Sequence, residues 1–139
     1  QFLRFAAYVG DKLGEDRASR LKVTREWLDA GVNVSISSDA GSTPWYRPQV
    51  TLLGAVTRLG PDDKSFHPEQ AMTIDEALHA HTIAAARCGH EDHIKGSLTA
   101  GKFADLVVWN DDYYSVDPMD IVKVDSELTM IGGEIVHEG

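Results

Sequence analysis

Apolar positions along the chain fall into blocks of two different periods. Phe2, Leu3, Phe5, Ala6 and Val9 recur on one helical face, and Gly10 and Gly14 punctuate the next stretch. The spacing predicts a second helix over Val23–Ala30: Trp27 and Leu28 follow Val23 and Thr24 by one turn, and Gly31 stands where a left-handed cap belongs. The period then drops to two. Val32, Val34 and Ile36 alternate with Asn33, Ser35 and Ser37 up to Ser38 and Asp39, which predicts a strand. Its polar positions are small, whereas a solvent-facing side would favour Lys, Glu or Thr, so both faces are expected to be buried, as inside a tightly filled barrel. The loop over residues 40–48 carries Trp45, Tyr46 and Arg47, and large aromatics on a loop are expected to contact something. Beyond Pro48, the spacing of Val50, Leu53 and Val56 predicts a helix that ends near Gly60 and Pro61.

Thr73-Ile74-Asp75-Glu76 has the form of a capping box, in which hydroxyl and carboxylate each satisfy a backbone N–H that the helix itself leaves orphaned. A helix is therefore predicted from Ile74, with Ile74, Ala77, Leu78, His81, Ala84, Ala85 and Cys88 on its packed face and Gly89 as its stop. After Gly89 strand signals take over. Gly96 and Gly101 bracket a turn, Phe103–Trp109 reads as a strand, and Leu128–Ile131 and Glu134–His137 flank Gly132-Gly133, a strong hairpin signal. Two or three such strands leave an apolar face that they cannot bury alone. Something outside this small β module is expected to cover it.

The chain has 139 residues, with 13 Lys+Arg against 22 Asp+Glu for a formal charge of -9, and 42% of it is hydrophobic. This suits one acidic globular domain, but a complete eight-stranded α/β barrel needs roughly 250 residues. No apolar run is long enough to span a membrane and no leader pattern precedes Phe2, so the cytoplasm is the expected compartment. Net negative charge without a basic cluster argues against a nucleic-acid partner. The lone Cys88 cannot form an internal disulfide and is expected to be a small buried residue of its helix.

Asp39 is the sharpest candidate for chemistry. A carboxylate leaving the C-terminal end of a strand stands where α/β folds build their sites, and it can bind a metal or accept a proton. On the residues alone, an Asp that merely caps the following turn is the commoner outcome. The histidines carry less. His79 and His81 are two apart on a helix and face different ways, His90 and His93 fall in a polar turn, and His67 and His137 are isolated. The stretch Gly96–Lys102 lacks the spacing of a phosphate loop and precedes a strand, so it reads as a turn, and no nucleophile elbow or H-E-x-x-H helix is present.

The run Gly96–Trp109 (GSLTAGKFADLVVW), preceded by Glu76–Ala86 (EALHAHTIAAA), resembles the C-terminal signature of metal-dependent amidohydrolases. Ala30–Asp39 is similar to the eighth barrel strand of that superfamily and Met130–Val136 to its closing hairpin. Ala55–Arg58 and Pro68–Ala77 point to the amidohydrolase family 3 branch. Ser37 in place of a family glycine, and a late Pro44, depart from the usual pattern after the strand.

The resemblance implies an α/β fold: the C-terminal part of a TIM-type (β/α)8 barrel, with its last helices and strand 8 in residues 1–93, plus strands of a small composite β-sandwich in residues 94–139. It implies hydrolysis of a C–N bond in an amide or cyclic amide by metal-activated water, with esterase and deaminase chemistry open. Asp39 takes the role of the strand-8 aspartate, both metal ligand and proton shuttle. The metal is expected to be zinc in the complete enzyme. The other family ligands, histidines after earlier strands and a carboxylated lysine or acid, have no counterpart here, so this chain alone is expected to be inactive and to lack bound metal. It is expected to act on a small amide-type substrate and to associate with itself or with a missing N-terminal portion. The rival reading is a non-catalytic oligomeric interaction module that uses its exposed apolar faces.

Overall fold

The computed structural model describes residues 8, 10–41, 45–60 and 64–139. The helix expected over residues 2–9 lies outside the described residues apart from Tyr8. A short helix, Glu15–Ala18, precedes the second predicted helix, which spans Thr24–Asp29. Gly31 follows it with φ 75°, the left-handed conformation its position predicted.

Residues 32–39 are extended but belong to no strand ladder, which corrects the strand expected there. A ladder needs a neighbour on at least one side, and among the described residues none runs beside this segment. Its anchors are single bonds instead. The Ile36 N–H donates to Ala80 O at 3.3 Å, and Asn33 Nδ2 donates to Ala84 O at 2.9 Å. Val34 is buried, but Ser35 and Ser37 are exposed, so only one face of this segment is covered.

The helix after Pro48 spans Pro48–Thr57 and ends as Arg58 turns left-handed. A short 3-10 turn, Pro68–Gln70, leads to the capping box, which forms in full: Glu76 N–H donates to Thr73 Oγ1 at 3.2 Å, and Thr73 N–H to Glu76 Oε2 at 2.8 Å. The single helix expected from Ile74 to Cys88 is broken into Ile74–His81 and Ile83–Cys88. The break falls at Thr82, whose φ/ψ of -112°/-97° leaves the helical region and whose Oγ1 donates back to Leu78 O at 2.8 Å. Such i–4 back-bonding competes with the helix ladder and bends it. The helix stops at Gly89 as expected, but the cap there is right-handed and the left-handed turn falls to His90 at φ 57°, with Glu91 N–H closing on Ala86 O at 2.9 Å. Cys88 at this end is exposed, which corrects the buried position expected for it; Asn33 Nδ2 donates to its sulfur at 3.3 Å.

Gly96 has a packing reason. A Cβ there would lie 2.7 Å from Ala86 Cβ, and its φ is +87°, so the chain passes too close over the Ile83–Cys88 helix for any other residue. Three antiparallel strands follow in the order β1-β2-β3: β1 (Leu106–Trp109), β2 (Ser126–Ile131) and β3 (Glu134–Glu138). Gly132 and Gly133, with φ 59° and 88°, make the type I′ turn of the β2–β3 hairpin. Between β1 and β2 the chain makes a 3-10 segment, Pro118–Lys123.

The core joins both halves of the sequence. Leu52, Ile121 and Val124 are its largest fully buried side chains, in one cluster with Val34, Met72, Ala77, Ala80 and Tyr113. The Pro48–Thr57 helix thus seats on the Pro118–Lys123 segment. Each fully buried aliphatic side chain contributes about 1.5–3 kcal/mol, so this seam dominates the packing. The outer strand β3 is exposed along its whole length.

Candidate functional site

Asp39 closes the extended segment with φ 55°, and its exposed side chain lines a cavity of about 540 Å³. Two other non-glycine residues on this wall share the left-handed conformation, Lys22 at φ 52° and Arg58 at φ 57°. Each such residue costs on the order of 1–3 kcal/mol unless its surroundings hold it, and that strain gathers at functional sites. Arg58 is held firmly. Its Nε donates to Phe66 O at 3.1 Å and its Nη1 to Lys22 O at 3.0 Å, which ties the 22 and 66 segments together. Burial pushes the Arg58 pKa down, with Glu69 opposing.

Lys22 is also pushed below its ordinary pKa, first by burial and then by the Arg58 charge, while the Asp39 carboxylate pulls it back up. Among the described residues, the polar end of the cavity therefore carries two cations and one carboxylate. The remaining wall is largely apolar. Trp27 and Trp45 stand on opposite sides in sequence, and Val50, Ala55 and Met72 complete it. The loop aromatics behave differently from one another: Trp45 faces the cavity, whereas Tyr46 is 71% exposed.

The structure also places a residue that spacing alone sets aside. His81 is half-buried, and its Nε2 meets Thr51 Oγ1 at 2.8 Å; Thr51 itself lines the cavity. Burial lowers the His81 pKa, favouring the neutral ring. The only signal for this in sequence is a His on the apolar face of its helix. His79, His90, His93 and His137 are exposed, and His67 lies between Glu15 (3.6 Å) and Glu69 (3.1 Å). Among the described residues no three His, Cys, Asp or Glu side chains come together to hold a metal ion. Asp39 can offer one carboxylate donor, or a base facing the cavity, on the wall it shares with Lys22 and Arg58.

Known proteins resemble this chain over nearly its whole length. A sequence model described as the amidohydrolase family matches residues 2–137. The chain is 25% identical over 134 residues to the putative amidohydrolase YtcJ of Bacillus subtilis (strain 168), covering 94% of this chain and 25% of that protein. It is 32% identical over 119 residues to an N-substituted formamide deformylase of Arthrobacter pascens, covering 86% of this chain and 22% of that protein. An imidazolonepropionase of Geobacillus kaustophilus (strain HTA426) is 35% identical over 115 residues, with coverage of 81% and 24%. A crystal structure of an amidohydrolase from Thermotoga maritima MSB8 superposes with a TM-score of 0.63 at 24% identity, over 85% of this chain and 26% of that one. The chain thus spans about a quarter of the length of the relatives it matches.

Proposed function

Because this chain belongs to the amidohydrolase family, we propose that it is the C-terminal part of a metal-dependent hydrolase that cleaves a C–N bond of a small amide or cyclic amide. The observation that carries this reading is the position of Asp39: a carboxylate at the end of the extended 32–39 segment, facing a cavity large enough for a small molecule. The fold likeness to a solved amidohydrolase supports assigning residues 1–93 to the end of a (β/α)8 barrel and residues 94–139 to its small β domain.

The described residues fit one ligand position of a metal and no more. Asp39 offers a single carboxylate, where a catalytic zinc takes about three protein ligands. When bound, a divalent metal, zinc as the first choice, supplies the polarisation that lets water attack near neutral pH. Asp39 then accepts the water proton and passes it to the departing nitrogen, while Lys22 and Arg58 supply positive charge at the same polar end of the cavity. Trp27 and Trp45 give the cavity its apolar side. With one donor among the described residues, the isolated chain does not turn over.

Asp39→Asn in the full-length enzyme tests this. Asn keeps the left-handed backbone and the side-chain shape, so the fold is retained and kcat falls by about 10²–10⁴. Activity within a few-fold of wild type would remove Asp39 from the mechanism.

A second reading, a non-catalytic interaction module, is favoured by the bare apolar strands: Val107, Val108, Ile131, Ile135 and Val136 are all exposed. Metal analysis separates the two. Full-length protein that binds no divalent metal yet assembles stably would favour the module.

A further inference from the structure

The corner at Val124–Asp125, where the 3-10 segment turns into β2, is held from both sides. Asn110 N–H donates to Asp125 O at 3.0 Å, and Asp125 N–H donates to Asn110 Oδ1 at 2.9 Å, so the start of β2 is locked to the end of β1. Val124 is 2% exposed and packed with Leu52 and Ile121. Three contacts from the other half of the chain converge on this rigid corner. Arg47 Nη2 lies 3.3 Å from Asp125 Oδ1 and 3.5 Å from Val124 O. Gln49 Nε2 donates to Val124 O at 2.9 Å from a side chain only 3% exposed. The ion pair is partly exposed and weak alone, but the buried amide bond beside it has little water to compete with it.

Cavity-lining residues flank this clamp in sequence. Trp45 lies two residues before Arg47, and Val50 and Thr51 follow Gln49 directly. We propose that Arg47, Gln49 and Asp125 are positioning residues, fixing the Trp45 wall of the Asp39 cavity to the small β module. None of them touches the cavity. The module's role is then to set the shape of a site to which it contributes no group. That this shape matters to turnover rests on the function proposed above; the clamp itself does not.

The test uses this chain labelled with 5-fluorotryptophan. Trp27, Trp45 and Trp109 are its three tryptophans, and each Trp→Phe change assigns one 19F resonance. Trp109 packs edge-on against Tyr113 at 5.3 Å in the β module and reports on the fold. In Arg47→Ala, Asp125→Ala and Gln49→Ala the Trp45 line should narrow and shift toward that of free fluorotryptophan, with the Trp27 and Trp109 lines unmoved and Arg47→Lys largely restoring the wild-type line. A Trp45 line unmoved in all three variants would overturn the proposal. So would all three lines moving together, which marks general loosening and not positioning. Because no activity is measured, failure here is distinct from failure of Asp39→Asn, which would count against the function.

Discussion

His81 shows how much a single contact changes the meaning of a residue. On sequence it is one of a pair that cannot share an ion; in the structure its ring is the polar link between the Ile74–His81 and Pro48–Thr57 helices, through Thr51. Its pKa is lowered in the fold because burial penalises the charged ring. The unfolded chain therefore binds the proton more readily. Stability from the neutral ring is complete above the unfolded value of about 6.5 and is lost as pH falls through the lower folded value. Thermal melts between neutral and mildly acidic pH should show a falling Tm that is shallower in His81→Gln. Parallel slopes in the two proteins would mean that other groups carry the acid sensitivity.

At the scale of elements, Glu76 does two jobs. It closes the capping box with Thr73 and pairs with Arg25, whose Nη1 donates to Oε1 at 2.7 Å and whose Nη2 also reaches Ala71 O at 3.0 Å. The hydrogen bonds from Arg25 are the main reason its pKa falls to about 2. Both side chains are less than a third exposed, so screening is limited. Glu76→Gln keeps a capping amide but loses the charge, and urea unfolding at pH 7 should show a loss of about 1.5–3 kcal/mol. The loss should shrink as pH falls from about 4.5 toward 2, where the wild-type carboxylate is itself protonated. An undiminished loss at low pH would point to packing instead.

The cap was legible because its chemistry is local: two side chains three residues apart. So were Gly31, the Gly132-Gly133 turn and the start of the Pro48–Thr57 helix. What failed to read through depends on distant neighbours. The alternation over residues 32–39 specifies an extended chain, but a ladder needs a partner strand. Thr82 breaks its helix by bonding its own backbone, a competition that apolar periodicity does not register. At the cavity, the alternating run marks Asp39 only as a candidate, with a turn cap the commoner outcome on the residues alone, and the fold adds that it lines the wall. Lys22, Arg58 and Trp27 were not, because folding alone brings them to the same cavity.

Across the whole molecule, one seam of core joins the Pro48–Thr57 helix to the Pro118–Lys123 segment, while the strands beyond it keep apolar side chains in water. Leu106, Met130 and Ile135 are cross-strand partners and form a row across all three strands. Such a face, with β3 open at the edge, favours self-association of the isolated chain. Light scattering across a concentration series should therefore report a dimer or larger species, and Ile135→Lys should return it toward monomer. A wild-type chain that stays monomeric throughout would show that the edge is guarded by its acidic residues, Glu134 and Glu138.

The left-handed turns at Lys22, Asp39 and Arg58 carry one more implication. Glycine at any of the three would relax the backbone and erase the side chain in the same stroke. Engineering this protein for thermal robustness alone would then drift toward a blank cavity wall, comfortable in its torsions and chemically mute.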